Sequence, residues 1–323
     1  MSANEPLFER MALIGLGLLG SSLARVVKRE GLARHIAGST RSRATLERAH
    51  ELGFLDSIHE KPLDVVEDAD LVVLCAPVGT YGEIAAVMAP ALRPGAIVTD
   101  VGSVKQAVVR DVAPHMPEGV FLVPGHPVAG TEQSGPDAGF AELFEDRYCI
   151  LTPPHGTDEG AVEKIAEFWR RAGSMVEIMD PHHHDRVLAI TSHLPHLIAY
   201  TIVGTASDLE SQLIREVAED SEIVRTREVI RYSAGGFRDF TRIAASPPEM
   251  WRDIFLNNRD TVLEMLGRFT EDLTALQRAI RWGEGDKLYD WFERTREIRQ
   301  GVVDMRQAGS FNPAEQKDDP GSE

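Results

Sequence analysis

The stretch Met11-Ala-Leu-Ile-Gly-Leu-Gly-Leu-Leu-Gly-Ser-Ser22 leaves few folds open. A short apolar run stops at Gly15, and an apolar-periodic stretch opens at Leu18 and continues to about Arg29. That order predicts a strand, a tight turn and a helix. Gly15, Gly17 and Gly20 fill the three slots of G-x-G-x-x-G, which serve a tight turn, close backbone approach to a pyrophosphate, and helix against strand packing. The first amides of the new helix and its dipole then face an anion. Because the glycines follow a predicted strand and open a predicted helix, Gly15, Gly17, Leu18, Leu19 and Gly20 read as a dinucleotide-binding turn rather than a plain glycine packing turn.

The next segments repeat the alternation. His35 to Thr40 reads as a second strand, Arg43 to Leu52 as a helix stopped by Gly53, Ala69 to Pro77 as a continuous apolar strand, Tyr81 to Leu92 as a helix and Ala96 to Asp100 as a strand. Apolar strands separated by helices indicate a parallel sheet covered on both faces. The expected fold is therefore an α/β Rossmann-type domain with a parallel sheet. Ala76 and Pro77, at a strand's carboxyl end, are expected to line the cofactor. Where many such folds carry an acid for the ribose hydroxyls, this chain has Ser39, Thr40, Arg41, Ser42 and Arg43. Hydroxyls and guanidinium groups suit a ribose 2′-phosphate, so the expectation leans to NADP over NAD, against the reading that both arginines begin a solvated helix.

Two stretches at strand ends can carry chemistry. In Asp100-Val-Gly-Ser-Val-Lys105, Ser103 either caps the following helix or turns its hydroxyl to a ligand. In Phe121-Leu-Val-Pro-Gly-His-Pro-Val-Ala-Gly130, His126 stands just past a predicted strand, between prolines and glycines that hold the loop. An imidazole is the usual proton acceptor near neutral pH, although a loop histidine also often simply faces solvent. Glu132 and Gln133 follow in a glycine-bounded segment suited to a lid. Tyr148 to Thr152 and Ser174 to Met179, separated by the amphipathic stretch Asp158 to Arg171, are expected to extend the sheet and close the first domain at residue 179.

From Pro181 the strand signal fades, and helical periodicity covers about Pro181–Ala206, Leu209–Tyr232, Pro248–Trp282 and Gly285–Met305. Residues 180–308 are expected to form an all-α dimerisation domain, and the polar stretch 309–323 a disordered tail. Pro195 lies inside the first helical pattern, where it should kink the helix and free a backbone acceptor. His193 and His196 share a face, but no third ligand is positioned, so no metal is expected; His182, His183 and His184 read as a solvated helix start. Arg238 and Arg242 lie one turn apart after Gly235-Gly236. They either pair with Asp239 and Glu249 or clamp a carboxylate.

With 323 residues the chain has room for about two domains. A net charge of −17 disfavours nucleic-acid partners and requires a local basic pocket for an anionic substrate. Cys75 and Cys149 sit in predicted buried strands, no apolar run approaches membrane-spanning length, and no signal peptide is visible. A cytoplasmic enzyme without membrane partners is the expectation.

Taken in order, Gly-Leu-Gly-Leu-Leu-Gly20, Asp-Val-Gly-Ser-Val-Lys105, Gly-His-Pro-Val-Ala-Gly-Thr-Glu132, Ser-His-Leu-Pro-His196, Gly-Gly-Phe-Arg-Asp-Phe-Thr-Arg242 and Met-Trp-Arg-Asp-Ile-Phe255 resemble the prephenate and arogenate dehydrogenases of tyrosine biosynthesis, in their short monofunctional form. The resemblance implies a homodimer that oxidatively decarboxylates prephenate or arogenate with NAD(P)+, giving 4-hydroxyphenylpyruvate or tyrosine. It further implies that His126 accepts the ring hydroxyl's proton while Ser103 holds both in register. Ser192, His193 and His196 would line the substrate pocket, Arg242 would bind the side-chain carboxylate, and Glu132 would gate the mouth from either subunit. A β-hydroxyacid dehydrogenase, an imine reductase and a non-catalytic nucleotide sensor are the competing readings. The first of these wants a lysine base on a glycine-rich helix, which is not found.

Overall fold

The computed structural model describes residues 5–217 and 234–304. In chain order the N-terminal part comprises β1 (Phe8–Ile14), α1 (Leu18–Glu30), β2 (Ala33–Ser39), α2 (Arg43–Glu51), β3 (Ser57–His59), α3 (Pro62–Val65), β4 (Leu71–Leu74), α4 (Tyr81–Met88), β5 (Ile97–Asp100), α5 (Lys105–Val112) and β6 (Phe121–Leu122). These strands form one six-stranded parallel sheet in the order β3-β2-β1-β4-β5-β6. The order reverses between β1 and β4, which opens a crevice at their carboxyl ends. β3 and α3 carry too few apolar residues to show a period and went unpredicted.

Both sheet faces are buried, as the continuous apolar strands require. Met11 and Leu13 of β1 join Leu71 and Val73 of β4 in a core covered by α1. Ala12 and Ile14 join Val72 and Leu74 in a second core covered by α4 and α5. Each such buried valine or leucine contributes roughly 1.5–3 kcal/mol relative to exposure.

The later strands do not extend this sheet. β7 (Gly125–Pro127), β8 (Tyr148–Leu151) and β9 (Met175–Ile178), with α6 (Glu159–Arg171) between the last two, form a separate three-stranded sheet in which β7 runs antiparallel to β8. The chain turns at Val123-Pro124, and β7 then pairs with β8 instead of continuing along β5. His126 therefore lies within a short strand and not in a loop.

The helical part begins with α7 (Pro181–Leu188), a π turn at Ala189–His193 and α8 (Leu194–Val217). The expected break near residue 206 is absent, because nothing between Ala206 and Leu209 stops a helix. The expected irregularity at Pro195 takes the form of the π turn immediately before it, in which the Leu194 N–H donates to the Ala189 carbonyl. Contrary to the sequence expectation, Pro181–Gln212 is long and apolar enough to cross a membrane by length and composition. Its polar content, including buried His184, Asp185 and His193, is instead used in the site below. After α9 (Gly235–Thr241), the predicted helix Pro248–Trp282 is divided at Asn258 into α10 (Pro248–Asn257) and α11 (Arg259–Trp282), followed by α12 (Gly285–Asp304). The tail 309–323, and the predicted helix to Tyr232 beyond Val217, lie outside the described residues.

By contact density the chain forms two compact units, Met1–Met265 and Leu266–Glu323. The change from sheet to helix near residue 179 falls inside the first. In the second, α11 and α12 expose Leu273, Ile280, Trp282, Tyr289, Phe292 and Ile298.

Candidate active site

The glycine turn is built from backbone. Gly15 has φ +106°, and a Cβ there would lie 2.5 Å from the main chain of Cys75 and Ala76. Gly20 packs so closely that a Cβ would overlap the Gly15 carbonyl oxygen. At Gly17, by contrast, a Cβ would meet nothing within 4 Å. Of the three, Gly17 alone leaves room for another group to approach the backbone. α1 has no side-chain cap and no acidic residue in its first turn, so its leading amides are free to take a phosphate. Leu18 and Leu19 are half-buried beside it, and Ala76 is in reach of the same turn. This donor set fits a dinucleotide.

At the end of β2, Ser39 is buried with its Oγ unpartnered, and Thr40 is half-buried. Arg43 pairs with Glu47 at 2.9 Å and Glu60 at 3.2 Å, through exposed and therefore exchangeable contacts. It belongs to a solvated helix face. Arg41 is exposed and has no ion pair among the described residues.

Moving across the sheet edge from the glycine turn, β4 brings Ala76 beside Gly15, β5 ends in Asp100, and Gly125 and His126 follow. Asp100 and Lys105 are fully buried and paired at 2.5 Å. The Asp100 carboxylate accepts from the Gly102 and Gly125 amides, and Lys105 Nζ donates to the Gly125 carbonyl at 2.6 Å. Burial pushes Asp100 up and Lys105 down, and these contacts oppose both shifts. Their joint effect is to fix the strand that carries His126.

His126 is buried, and burial, with His184, Lys105 and His193 around it, holds its pKa well below the ordinary value. At neutral pH the imidazole is uncharged. Its Nδ1 lies 2.8 Å from His184 Nε2, and His184 Nδ1 lies 2.8 Å from Asp185 Oδ1. His182 and His183 are exposed, but His184 and Asp185 are wholly buried, which corrects the reading of this run as a solvated helix start. The signal was present in the sequence: residues 184, 185, 188 and 189 share one helix face, and the last two are apolar.

Ser103 is half-buried and does not cap α5; the N-cap residue is Val104. Asp185 caps that helix from a distance, accepting from the Lys105 amide at 2.7 Å and the Gln106 amide at 3.0 Å. Ser103's main chain instead borders His193.

His193 and His196 both project from the π turn region. Asn258 Nδ2 lies 3.2 Å from His193 Nδ1, while Nε2 is buried without a hydrogen-bond partner. Burial first, and the neighbouring histidines, push His193 down to about 4. His196 stacks on Trp251 at 3.6 Å, and its Nδ1 donates to the Ser192 carbonyl at 2.9 Å, leaving Nε2 as an acceptor. Trp251, Asn258, His184, Asp185, Asp100 and Lys105 are therefore site residues that sequence reasoning did not assign. Among the described residues no group of His, Cys, Asp or Glu side chains is arranged to hold a metal.

Arg242 pairs with neither Asp239 nor Glu249. Its Nη1 donates to Glu132 Oε2 at 3.0 Å, joining two residues 110 positions apart within one chain. Both side chains are substantially exposed, so the pair is weak and exchangeable.

A family model for the nucleotide-binding domain of prephenate dehydrogenase matches residues 23–178, and one for its dimerization domain matches residues 180–294. The chain is 43% identical to a cyclohexadienyl dehydrogenase of Zymomonas mobilis over 90% of its own length and 95% of that protein's. It is 32% identical to the prephenate dehydrogenase of Bacillus subtilis, covering 94% of this chain and 78% of that one. A solved prephenate dehydrogenase from A. aeolicus, in complex with hydroxyphenyl propionate and NAD+, superposes with a TM-score of 0.79 at 33% identity, covering 91% and 98% of the two chains. These matches displace the β-hydroxyacid dehydrogenase, imine reductase and nucleotide-sensor readings. The chain thus belongs to the prephenate dehydrogenase family, and is an NAD(P)-dependent oxidoreductase that carries out the oxidative decarboxylation of a cyclohexadienyl substrate in tyrosine biosynthesis.

Proposed function

We propose that His126 is the general base and Arg242 the carboxylate clamp of this reaction, with prephenate or arogenate as substrate. The observation that carries the reading is a buried, uncharged imidazole on β7, tied through Gly125 to Asp100 at the carboxyl end of β5, in the same parallel sheet whose β1 runs into the open glycine turn. When bound, the nicotinamide supplies the hydride acceptor. His126 takes the ring hydroxyl's proton as carbonyl character develops; carbon dioxide leaves the opposite ring carbon, its bonding pair completes the aromatic ring, and the proton returns from His126 to the ring oxygen to give the phenol. Ser103 keeps the hydroxyl and imidazole in register. His196 Nε2 is an acceptor, and an Nε2 proton on His193 is a buried donor that a ligand oxygen can satisfy. Ser192 fixes the His196 ring through its carbonyl.

Arg242 exchanges Glu132 for the substrate carboxylate, so that Glu132 closes the mouth when substrate is absent. Gly15, Gly17, Leu18, Leu19, Gly20, Ala76 and Pro77 hold the dinucleotide. Arg41, beside Ser39 and Thr40, favours NADP+ by its unpaired charge, and Arg43 adds a second guanidinium that can exchange its exposed carboxylate partners for a 2′-phosphate. The exposed apolar face of α11 and α12 is of the kind that a second copy covers, so the enzyme is a homodimer. A cytoplasmic location is part of this reading, and the similarity to enzymes of amino-acid biosynthesis supports it. One matrix of assays tests the reading: prephenate and arogenate, each with NAD+ and NADP+, followed by absorbance of the reduced cofactor. Turnover of at least one pair, faster with NADP+ and losing that preference in Arg41→Ala, is expected. No reduction with either substrate would overturn the reading.

A further inference from the structure

The mechanism above uses one nitrogen of His126 and leaves the other pointing at a second buried histidine. Three observations fix where the protons of this group lie. Asp185 Oδ1 receives the Lys105 amide at 2.7 Å, and Oδ2 receives the Gln106 amide at 3.0 Å and lies 3.4 Å from the Gln106 side-chain nitrogen. A carboxyl whose two oxygens both accept main-chain N–H groups at a helix N-terminus is ionised. It therefore cannot donate to His184, so the 2.8 Å contact has His184 Nδ1–H donating to Asp185. A neutral imidazole carries one N–H, which leaves His184 Nε2 bare. The 2.8 Å contact with His126 then requires His126 Nδ1–H to donate, and leaves His126 Nε2 bare.

We infer that His184 and Asp185 are positioning residues that hold His126 in the single tautomer able to accept a proton through Nε2. The inference rests on the reading of His126 as the base, and adds how that base is kept in its competent form. The surroundings support an uncharged His184. Lys105, whose Nζ lies between Asp100 and the Gly125 carbonyl, and His193, capped by Asn258, are the other titratable groups facing this cluster. The Asn258 side chain also donates to the Asp185 carbonyl at 3.0 Å, tying α7 to α10. Without the chain, the imidazole is free to place its proton on Nε2, and the side chain then stands in the site with nothing to accept the hydroxyl proton.

Nitrogen-15 NMR of histidine-labelled protein with bound cofactor reads the tautomer directly and needs no turnover. His126 with a protonated Nδ1 and an unprotonated Nε2 at neutral pH is expected, and an Nε2–H resonance for His126 would overturn the inference. Two variants extend the test. His184→Leu removes the acceptor, and kcat should fall roughly 100-fold, with KM for the substrate within about threefold of the parent. His184→Gln can place a carbonyl oxygen where Nε2 was and should recover at least a tenth of the parental kcat. Equal kcat for parent and His184→Leu, or an equal loss in both variants with the NMR tautomer unchanged, would contradict the positioning role. If His126 were not the base at all, His126→Asn would still turn over, a result separate from either outcome.

Discussion

The glycine turn follows β1 of the parallel sheet and the His126 centre is anchored at the end of β5 through Asp100, yet the two are assembled in opposite ways. In the turn, three residues within six positions do everything, and the determinant is the absence of side chains: a φ of +106° at Gly15, contact at Gly20 and open space at Gly17. At His126 the determinants are side chains brought from β5, α5, β7, α7, the π turn and α10, with sequence separations of 58 between His126 and His184 and 65 between His193 and Asn258. The first kind of site tolerates change almost anywhere outside its few positions. The second depends on long-range packing, so its failure should appear in chemistry before it appears in binding.

That contrast can be broken most sharply at His126. Replacement by Asn should cut turnover about 10²- to 10⁴-fold while dinucleotide affinity, measured by titration of intrinsic fluorescence, stays within a few-fold. Loss of cofactor binding in that variant would show that the two regions are not separable. Arg242→Ala should come next, raising KM for the substrate roughly 10- to 100-fold, because a charge-assisted hydrogen bond is worth about 1.5–3 kcal/mol, with a smaller change in kcat. An unchanged KM would move the clamp elsewhere.

The side-chain centre also predicts an acid sensitivity that the backbone turn does not. His193 ordinarily titrates at 6.5 and is pushed down to about 4 in the fold. The unfolded chain thus binds more protons between these values, and its contribution is complete above pH 6.5 and lost as pH falls towards 4. Up to ~3 kcal/mol should disappear over that window. Denaturant melts of His193→Gln should show a flatter profile there, whereas parallel profiles would assign the acid loss to other groups.

The smallest effects should separate two glycines. Gly20→Ala forces a Cβ into the Gly15 carbonyl and should cost about 1–3 kcal/mol in stability as well as cofactor affinity. Gly17→Ala meets open space, so its melting midpoint should match the parent within roughly 0.5 kcal/mol while dinucleotide binding weakens. Equal stability losses at both would mean that Gly17 is a packing glycine.

The same contrast explains what could be read beforehand. The glycine turn, the buried parallel strands and the long helices are periodic and local, so Met11 to Ser22 or Leu71 to Leu74 declare themselves. His126, Ser103, His196 and Arg242 stood out beside strand ends and helix breaks, and the resemblance supplied their roles. What escaped were partners joined only by folding: Asp185 capping a helix 80 positions away, Lys105 locking Gly125, and Glu132 meeting Arg242. The second sheet escaped because β7 is three residues long and its pairing with β8 is antiparallel, which no alternation of strands and helices announces. For Arg43 the fold adds Glu60, 17 positions away, as an exposed partner that no local pattern announces.

The central claim is that one crevice holds the dinucleotide and a proton-accepting His126 together. A crystal structure of the protein with the oxidised cofactor and a hydroxyphenyl product analogue measures it directly. The account predicts His126 Nε2 within hydrogen-bond reach, about 2.6–3.2 Å, of the analogue's ring oxygen, with the nicotinamide against the same ring carbon. A ring oxygen bonded instead to another side chain, with His126 still facing only His184, would contradict it.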